Sequence, residues 1–310
     1  MAYDVSIIIP FLNESENLKI FLPKLSQYLS NRKDLRCETI FVDDGSSDDS
    51  IEIIKKFKIW PGSLQLIKLS KNYGSHAALR AGFYHARGEC CTHLATDMQE
   101  PIDLVGRLYD KIQKGYNIVF ACRESIQVSL VEKFFSRLYA KIVKKMVTKD
   151  YPEKGLDLVM FDHKVRKALN DDIEANSSIF LQILMLGFKQ ASISYHKNVR
   201  KQGKSKWTLA RKVKVVIDSI VAFSYSPVRF VSIMGILFSS AGFLWMIYVA
   251  VRTFLYHNLA PGWPALLAIL MIGFGITNIS LGIIAEYLWR TLDVSRNRKV
   301  FIIDKIVKLN

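Results

Sequence analysis

The chain contains the stretch Glu38-Thr39-Ile40-Phe41-Val42-Asp43-Asp44-Gly45-Ser46, an apolar run that ends in two acids and a turn. Short runs of β-branched and aromatic residues bounded by Asp and Gly are typical of buried strands. Upstream, Val5-Ser6-Ile7-Ile8-Ile9-Pro10 has the same character. Between the two runs, Ser15 to Ser30 has a helical pattern that opens with a capping signal at Asn13 and Ser15. This order predicts a β-α-β unit with parallel strands.

The same alternation continues along the chain. Further apolar runs lie at Leu64 to Leu69, Cys91 to Ala95 and Asn117 to Ala121, with helical segments between them. Alternating strands and helices predict an α/β fold with a doubly wound, mostly parallel sheet of the Rossmann-like kind. In such sheets the ligand site lies at the carboxyl ends of the strands. The polar residues that follow each strand are therefore the candidate functional residues.

Composition excludes several classes of protein. The 310 residues include 43 Lys and Arg against 28 Asp and Glu, a net charge of +15, yet 50% of them are hydrophobic. This apolar content excludes a disordered basic protein, and the length with only four cysteines excludes a small disulfide scaffold. The cysteines form no CxxC pair, which favours a reducing, cytosolic setting.

Two long segments carry no Asp, Glu, Lys or Arg: Phe230 to Val251 and Pro264 to Ala285. As a helix, each would reach about 33 Å, enough to cross a hydrocarbon core of about 30 Å. A buried core helix is usually shorter and interrupted by charge, so we expect a transmembrane hairpin. Small residues within both segments permit close helix packing, which favours a homo-oligomer.

The flanking charges predict the orientation of the hairpin. The connection from Arg252 to Trp263 holds one Arg, whereas Lys and Arg accumulate after the second segment. Because basic residues are enriched on the cytoplasmic side, we expect both termini there. The predicted division is a soluble domain at 1–207, an amphipathic interfacial helix at 208–227, the hairpin at 228–289 and a cytoplasmic tail at 290–310.

Three polar clusters stand where a site is expected. Asp43 to Asp48 offers carboxylates that can accept hydrogen bonds from a base or ribose, and Thr96 to Pro101 offers oxygen ligands suited to Mg²⁺ or Mn²⁺. Arg200 to Trp207 is basic and contains Gly and Ser, which suits a loop that closes over phosphate. Each cluster alone is equally typical of a turn, a solvated loop or a polybasic membrane anchor. Nucleic acid is not expected as a partner, because the sequence has no RNP-like motif, zinc-finger spacing or clear recognition helix.

Taken together, the motifs resemble glycosyltransferase family two, specifically its polyisoprenyl-phosphate glycosyltransferases, such as dolichyl-phosphate mannose synthase and the bacterial membrane-anchored glucosyltransferases of O-antigen modification. The resemblance covers nearly the whole chain, and the order and spacing of the motifs make it specific. The matching segments are Ser6 to Pro10 with Asn13-Glu14, Val42 to Asp48, Leu69 to Gly74, Asp97 to Pro101, Gly155 to Met160 and Arg200 to Trp207. The resemblance implies a GT-A fold, a nucleotide-diphosphate sugar as donor and polyprenyl phosphate as acceptor.

The resemblance also implies roles for individual residues. The nucleotide-sugar pocket would be formed by Pro10, Leu12, Glu14, Asp43, Asp44, Arg200 and Lys206. The acceptor phosphate would contact Arg123, Lys133, Ser136, Arg137 and Ser205. A Mg²⁺ or Mn²⁺ ion on the donor diphosphate would be held by Asp97, Gln99 and Asp157, with Asp97 and Asp157 as catalytic residues. Stricter members of the family carry a further aspartate where this chain has Ala95, so one carboxylate ligand is missing.

The implied reaction is inverting transfer of a hexose, with UDP-glucose favoured, to polyprenyl phosphate at the cytoplasmic face of a bacterial inner membrane. Two alternatives stay open. A processive polysaccharide synthase would share the soluble domain, but its Gln-x-x-Arg-Trp signature is replaced here by Gln202-Gly-Lys-Ser-Lys-Trp207. A catalytically inactive membrane scaffold is compatible with the carboxylate missing at Ala95.

Overall fold

The structure is a computed structural model. It describes residues 3–124, 140–141, 143–145, 148, 151–152, 155–171, 178–198, 226–256, 262–296 and 299–309. The chain divides into two compact units. The first comprises residues 1–219 and 299–310, and the second comprises residues 220–298.

Within the described residues, an eight-stranded sheet forms the centre of the first unit. Its strands are β1 (Tyr3–Phe11), β2 (Cys37–Asp43), β3 (Ser63–Leu69), β4 (Gly88–His93), β5 (Ile118–Arg123), β6 (Leu158–Asp162), β7 (Gln190–Tyr195) and β8 (Ile303–Lys308). Their spatial order is β7-β5-β6-β4-β1-β2-β3-β8. Strands β4, β1, β2 and β3 are mutually parallel. The predicted doubly wound, mostly parallel α/β sheet is therefore confirmed.

Six helices of this unit fall within the described residues and connect or cover the strands. They are α1 (Ser15–Asn31), α2 (Ser50–Lys56), α3 (Ser75–His85), α4 (Leu104–Ile112), α5 (His163–Asp171) and α6 (Ile179–Met185). Side chains of β1 and α1, such as Ile7, Ile9, Leu18 and Phe21, are almost fully buried. Each such side chain contributes about 1.5–3 kcal/mol on burial. The β-α-β centre of the sheet thus provides a rigid base for the loops at its carboxyl edge.

Strand β6 lies between β4 and β5 and runs antiparallel to both. The sequence patterns predict neither β6 nor β7 as a strand. Because β6 runs in the opposite direction, its first residue, Leu158, pairs with Ala121 near the carboxyl end of β5. The preceding residue, Asp157, is thereby carried to the edge where the ligand site is predicted.

The C-terminal segment belongs to the sheet. The sequence predicts residues 290–310 as a tail, but Ile303–Lys308 forms β8, antiparallel to β3. Val307 pairs with Leu66 and packs against the hydrophobic core, as does Leu309. The prediction failed here because a single short strand that follows a long apolar segment has no local signal of its partner. The edge of β3 supplies that partner.

The second unit contains two long helices, α7 (Ser226–Tyr256) and α8 (Trp263–Ser295). Within them, Pro227–Arg252 and Ile269–Asp293 are long and apolar enough to cross a membrane. Both helices extend beyond the uncharged segments of the sequence. The predicted interfacial helix at 208–227 lies outside the described residues, except for its last two residues, which begin α7.

Candidate active site

The loops after β1 and β2 are joined by hydrogen bonds at the carboxyl edge of the sheet. The backbone N–H of Asn13 donates to Ser46 Oγ at 3.0 Å. Pro10, near the end of β1, and Leu12 and Glu14, in the loop after it, are half-buried. The structure therefore brings the predicted nucleotide-pocket residues of β1 next to the Asp-Asp-Gly-Ser segment that follows β2.

Asp43 and Asp44 stabilise this edge from within. The two carboxylate oxygens of Asp44 accept hydrogen bonds from the N–H groups of Tyr73 at 2.7 Å and Gly74 at 2.9 Å. Burial raises the pKa of Asp44, and these two backbone donors oppose the shift. Asp43 Oδ1 accepts from the N–H of Ser46 at 2.9 Å, and its Oδ2 has no hydrogen-bond partner among the described residues. Both acids are buried, so their direct contact with a nucleotide stays a prediction.

Gly45 allows the loops after β2 and β3 to approach each other. Its φ is +85°, and a Cβ atom there would lie only 2.9 Å from the backbone nitrogen of Asn72. Glycine is required both by the left-handed conformation and by the lack of space. The close approach of these loops is thus encoded in the Asp-Asp-Gly segment.

The loop after β4 carries the predicted cation ligands, Asp97 and Gln99. Met98 has a φ of 55°, and Asp97 Oδ1 accepts a 3.3 Å hydrogen bond from the N–H of Gln99. Asn198, which follows β7, donates its backbone N–H to the carbonyl of Gln99 at 2.9 Å. The side chains of Asp97 and Gln99 therefore lie on one turn, and the hydrogen bond from Asn198 connects this turn to the segment that follows β7.

Asp157 lies at the same edge and is surrounded by donors. Arg123 Nε is 3.2 Å and the donating hydroxyl of Tyr195 is 2.9 Å from Asp157 Oδ2. Lys197 Nζ is 3.6 Å from Asp157 Oδ1. Arg123 ends β5 and Tyr195 ends β7, so residues far apart in sequence meet because their strands are neighbours. The structure thus brings together two predicted site residues, Asp157 and Arg123.

Glu100 and Lys197 also lie at the candidate site, although neither is among the site residues predicted from the sequence. Lys197 Nζ lies 3.2 Å from Glu100 Oε1, and Glu100 is only 9% exposed. Burial raises the pKa of Glu100, the ammonium of Lys197 lowers it, and the negative charges of Asp97 and Asp157 raise it further. The ammonium of Lys197, which contacts both Glu100 and Asp157, brings these two acids close to each other.

We call Asp97, Glu100, Asp157, Arg123 and Lys197 the charged cluster. A sequence signal for Glu100 existed, because it lies within the Asp97 to Pro101 motif. No comparable signal separated Lys197 from the other basic residues of the Lys189 to Lys214 stretch. Its importance follows from the position of β7, which only the tertiary structure reveals.

The donor atoms at Asp97 and Gln99 fit a hard divalent cation. A carboxylate and an amide oxygen are ligands that Mg²⁺ and Mn²⁺ accept. Among the described residues, no group of three His, Cys, Asp or Glu side chains could hold a metal ion. Oxygen atoms of a bound diphosphate are suited to complete the coordination. Asp157 fits less well as a direct ligand, because its carboxylate already contacts two cations and a hydroxyl group.

The remaining predicted site residues lie outside the described part of the chain. They are Lys133, Ser136, Arg137, Arg200, Ser205 and Lys206. Their contacts with the donor diphosphate or the acceptor phosphate stay predictions.

Comparison with known proteins gives the family. Residues 6–173, more than half of the chain, match the family model described as Glycosyl transferase family 2. The undecaprenyl-phosphate 4-deoxy-4-formamido-L-arabinose transferase of Edwardsiella ictaluri is 30% identical over 99% of this chain and 95% of its own length. An uncharacterized glycosyltransferase of Bacillus subtilis, YkcC, is 29% identical over 97% of this chain and 93% of its own.

A solved structure shows the same fold at lower identity. The glucosyl-3-phosphoglycerate synthase of Mycobacterium tuberculosis, in complex with Mn²⁺, uridine diphosphate and glucosyl-3-phosphoglycerate, aligns with a TM-score of 0.50 and 14% identity. The alignment covers 71% of this chain and 79% of that chain. Together with the sheet order, this likeness confirms the GT-A fold expected from the sequence. The protein is a glycosyltransferase, and the chain belongs to glycosyl transferase family 2.

Proposed function

We propose that this glycosyltransferase moves a hexose, with inversion, from a nucleotide-diphosphate sugar to polyprenyl phosphate, and that UDP-glucose is the favoured donor. The observation that carries the proposal is the charged cluster at the carboxyl edge of the sheet, in a chain that also has two apolar helices long enough to cross a membrane. Relatives similar along nearly the whole chain, helices included, are undecaprenyl-phosphate transferases. A lipid-linked phosphate as acceptor accounts for both the charged cluster and the two apolar helices.

The acceptor phosphate needs positioning more than activation. Its second pKa is about 6, so it is largely dianionic at pH 7 and needs little help in losing a proton. Arg123 suits the acceptor phosphate, because a guanidinium forms paired, charge-assisted hydrogen bonds with phosphate oxygens. Asp157 contacts Arg123 directly, so we assign Asp157 to orienting this cation and the acceptor.

The donor side must stabilise the departing nucleotide diphosphate. Asp97 and Gln99 would hold Mg²⁺ or Mn²⁺, which would supply positive charge to the diphosphate oxygens. Arg200 and Lys206, from the basic loop predicted by the sequence, would add further positive charge. Because Ala95 replaces one acid, the protein supplies fewer ligands and the diphosphate more.

The connectivity of the two units supports a membrane hairpin. Residues before α7 and residues after α8 both belong to the first unit, so the chain must return to the side from which it left. Two spans satisfy this requirement. The excess of Lys and Arg outside the connection from Arg252 to Trp263 favours the cytoplasm for the first unit. Small residues in both helices favour a homo-oligomer.

The test is a transfer assay with the purified full-length protein, undecaprenyl phosphate and Mn²⁺ or Mg²⁺. The donor panel should contain UDP-glucose, UDP-N-acetylglucosamine, GDP-mannose and the UDP-linked 4-deoxy-4-formamido-L-arabinose suggested by the names of relatives. We expect one monoglycosylated lipid from a hexose donor, with the anomeric configuration opposite to that of the donor. Exclusive use of the arabinose donor would overturn the hexose assignment. A polymeric product would favour a processive synthase, and donor binding without any transfer would favour an inactive scaffold.

A further inference from the structure

Lys197 lies between two carboxylates of the charged cluster. Its ammonium is 3.2 Å from Glu100 Oε1 and 3.6 Å from Asp157 Oδ1. The side chain is 24% exposed, and the two acids are almost buried. Ion pairs that are shielded from water are screened less than surface pairs, so this arrangement has a larger electrostatic effect than a surface salt bridge.

The backbone next to Lys197 is fixed to the loop that carries the cation ligands. The N–H of Asn198 donates to the carbonyl of Gln99 at 2.9 Å, and Asn198 Nδ2 donates to the carbonyl of Met98 at 3.3 Å. Lys197 is therefore held beside the Asp97 loop by its own neighbour in sequence. Its contact with Glu100 is a built feature of the site.

Lys197 supplies one of the two positive charges in the charged cluster. Three carboxylates, Asp97, Glu100 and Asp157, are accompanied within the described cluster by two cations, Arg123 and Lys197. Removing Lys197 would leave Glu100 without this ion pair and Asp157 with one cation fewer. Both acids would then be able to attract a divalent cation away from the position next to Asp97 and Gln99.

We propose that Lys197 is a positioning residue, a built-in counter-ion that occupies Glu100 and Asp157, keeps divalent cations off these two acids and holds Asp157 in place for the acceptor. This inference rests on the proposed function, because the acceptor role of Asp157 belongs to it. The proposal predicts effects of opposite sign when the ammonium is removed. Binding of a bare divalent cation should become tighter, while sugar transfer should become slower.

The test is a titration of the full-length protein with Mn²⁺ alone, in which the paramagnetic resonance signal of free Mn²⁺ reports binding. For Lys197→Met we expect affinity to rise about fivefold or more, because a unit positive charge within a few ångströms of the acids is lost. The Mn²⁺ affinity of Lys197→Gln should rise in the same way, whereas that of Lys197→Arg should stay close to the wild-type value. Lys189→Met, which removes an exposed ammonium before β7, is the matched control and should change nothing.

A second measurement compares transfer by the same variants. We expect kcat to fall about tenfold or more in Lys197→Met and to be largely restored in Lys197→Arg, because displacement of reacting groups is costly. A merely structural role would weaken Mn²⁺ binding and transfer together. If Lys197→Met folds and binds Mn²⁺ no more tightly than the wild-type protein, the proposal is overturned. If Lys197→Met does not fold, Lys197→Gln is used in its place, and unchanged or weaker Mn²⁺ binding by Lys197→Gln overturns the proposal.

The Mn²⁺ titration requires neither sugar nor lipid, so it is independent of the transfer assay. If Lys197→Met binds Mn²⁺ more tightly but the wild-type protein transfers no sugar to undecaprenyl phosphate, the proposed function fails and the counter-ion role stands. If the wild-type protein transfers sugar and the Lys197 variants bind Mn²⁺ as it does, only the counter-ion role fails.

Discussion

Asp97 and Asp157 lie at the same edge of the sheet but have different surroundings. Asp157 contacts Arg123, Tyr195 and Lys197, whereas Asp97 shares a turn with Gln99 in the loop after β4. A carboxylate that is already neutralised by cations has less to gain from a metal ion than one on an oxygen-rich turn. Because Asp97 shares its turn with the amide oxygen of Gln99, we expect the metal dependence of transfer to rest mainly on Asp97.

We predict that Asp97→Asn lowers the metal-dependent kcat/KM about 100-fold or more, because it removes a charged oxygen ligand while preserving side-chain shape. The measurement is the transfer rate as a function of Mn²⁺ concentration. Asp103→Asn is the matched control, since Asp103 is exposed at the start of α4. If Asp97→Asn showed the same dependence of transfer rate on Mn²⁺ concentration as the wild-type protein, Asp97 would not be a ligand of the cation.

His76 gives a pH-dependent prediction at the same scale. Its Nδ1 accepts a hydrogen bond from the N–H of Ile179 at 3.3 Å, and its ring packs against Phe180. Burial lowers the pKa of His76, and the charge of Arg80 lowers it further. The unfolded chain therefore binds a proton at a higher pH than the folded chain. Stability contributed by the neutral ring is present above the unfolded pKa of about 6.5 and is lost as the pH falls below it.

The prediction is that His76→Gln, which retains a hydrogen-bond acceptor but does not titrate, reduces the loss of unfolding free energy between about pH 7.5 and pH 5.5. Urea unfolding at several pH values measures this slope. An identical slope in the two proteins would mean that His76 takes up its proton equally in the folded and unfolded states.

At the scale of elements, β6 and β7 assemble the charged cluster. An all-parallel continuation of the sheet would not bring Asp157 to the carboxyl edge, since the residue that precedes a parallel strand lies at the opposite edge. Reversal of β6 places Asp157 beside Arg123, and β7 adds Tyr195 and Lys197. The candidate catalytic groups are therefore a product of sheet topology.

Strand β8 connects the C-terminus to the predicted nucleotide side of the site. The carbonyl of Ile302 accepts a 2.9 Å hydrogen bond from the N–H of Ser70, in the loop whose later N–H groups hold Asp44. Lys68 and Asp304 form an ion pair across the same two strands. Loss of β8 should for this reason affect the loop after β3 as well as stability.

We predict that Val307→Asp lowers the free energy of unfolding by about 2 kcal/mol more than Ile306→Asp, because Val307 packs on the core and Ile306 is exposed. Urea unfolding of the two variants gives this comparison, and the KM for the nucleotide sugar reports on the loop after β3. Equal destabilisation by both substitutions would show that β8 does not dock through its Val307 face.

At the scale of the whole molecule, the hairpin is an insertion within the first unit. Residues 1–219 and 299–310 form that unit, and residues 220–298 form the other. Truncation before α7 would remove β8 together with α7 and α8, so it cannot isolate the role of these two helices. An internal deletion that removes α7 and α8 but keeps β8 can isolate that role.

We predict that deleting residues 227–298, with a short Gly-Ser linker in their place, reduces transfer to undecaprenyl phosphate about tenfold or more. Binding of the nucleotide sugar should stay within about threefold, because anchoring brings enzyme and lipid together without forming the donor pocket. Truncation of residues 227–310 is the comparison and should also lose stability. Equal loss of donor binding and transfer in the internal deletion would contradict a role limited to the acceptor.

The sequence by itself determined the parallel β-α-β centre, the two apolar segments and the loops of Asp44 and Asp97. These features are local, because a buried strand, a long uncharged segment or an Asp-Gly turn shows its character within a few residues. The family resemblance then implied that Asp157 and Arg123 are site residues, without indicating how they meet.

Only the tertiary structure decided that Lys197 lies between Glu100 and Asp157 and that Ile303–Lys308 completes the sheet. Strand order and direction depend on pairing between segments far apart in the chain, and no residue carries a local mark of its distant partner. In the sequence, Lys197 is one of many basic residues in its stretch, and Ile303–Lys308 is a short segment near the C-terminus. Neither has a local pattern that indicates its contacts. In the folded sheet, Lys197 lies beside two carboxylates, and Ile303–Lys308 lies beside the edge of β3, with which it pairs.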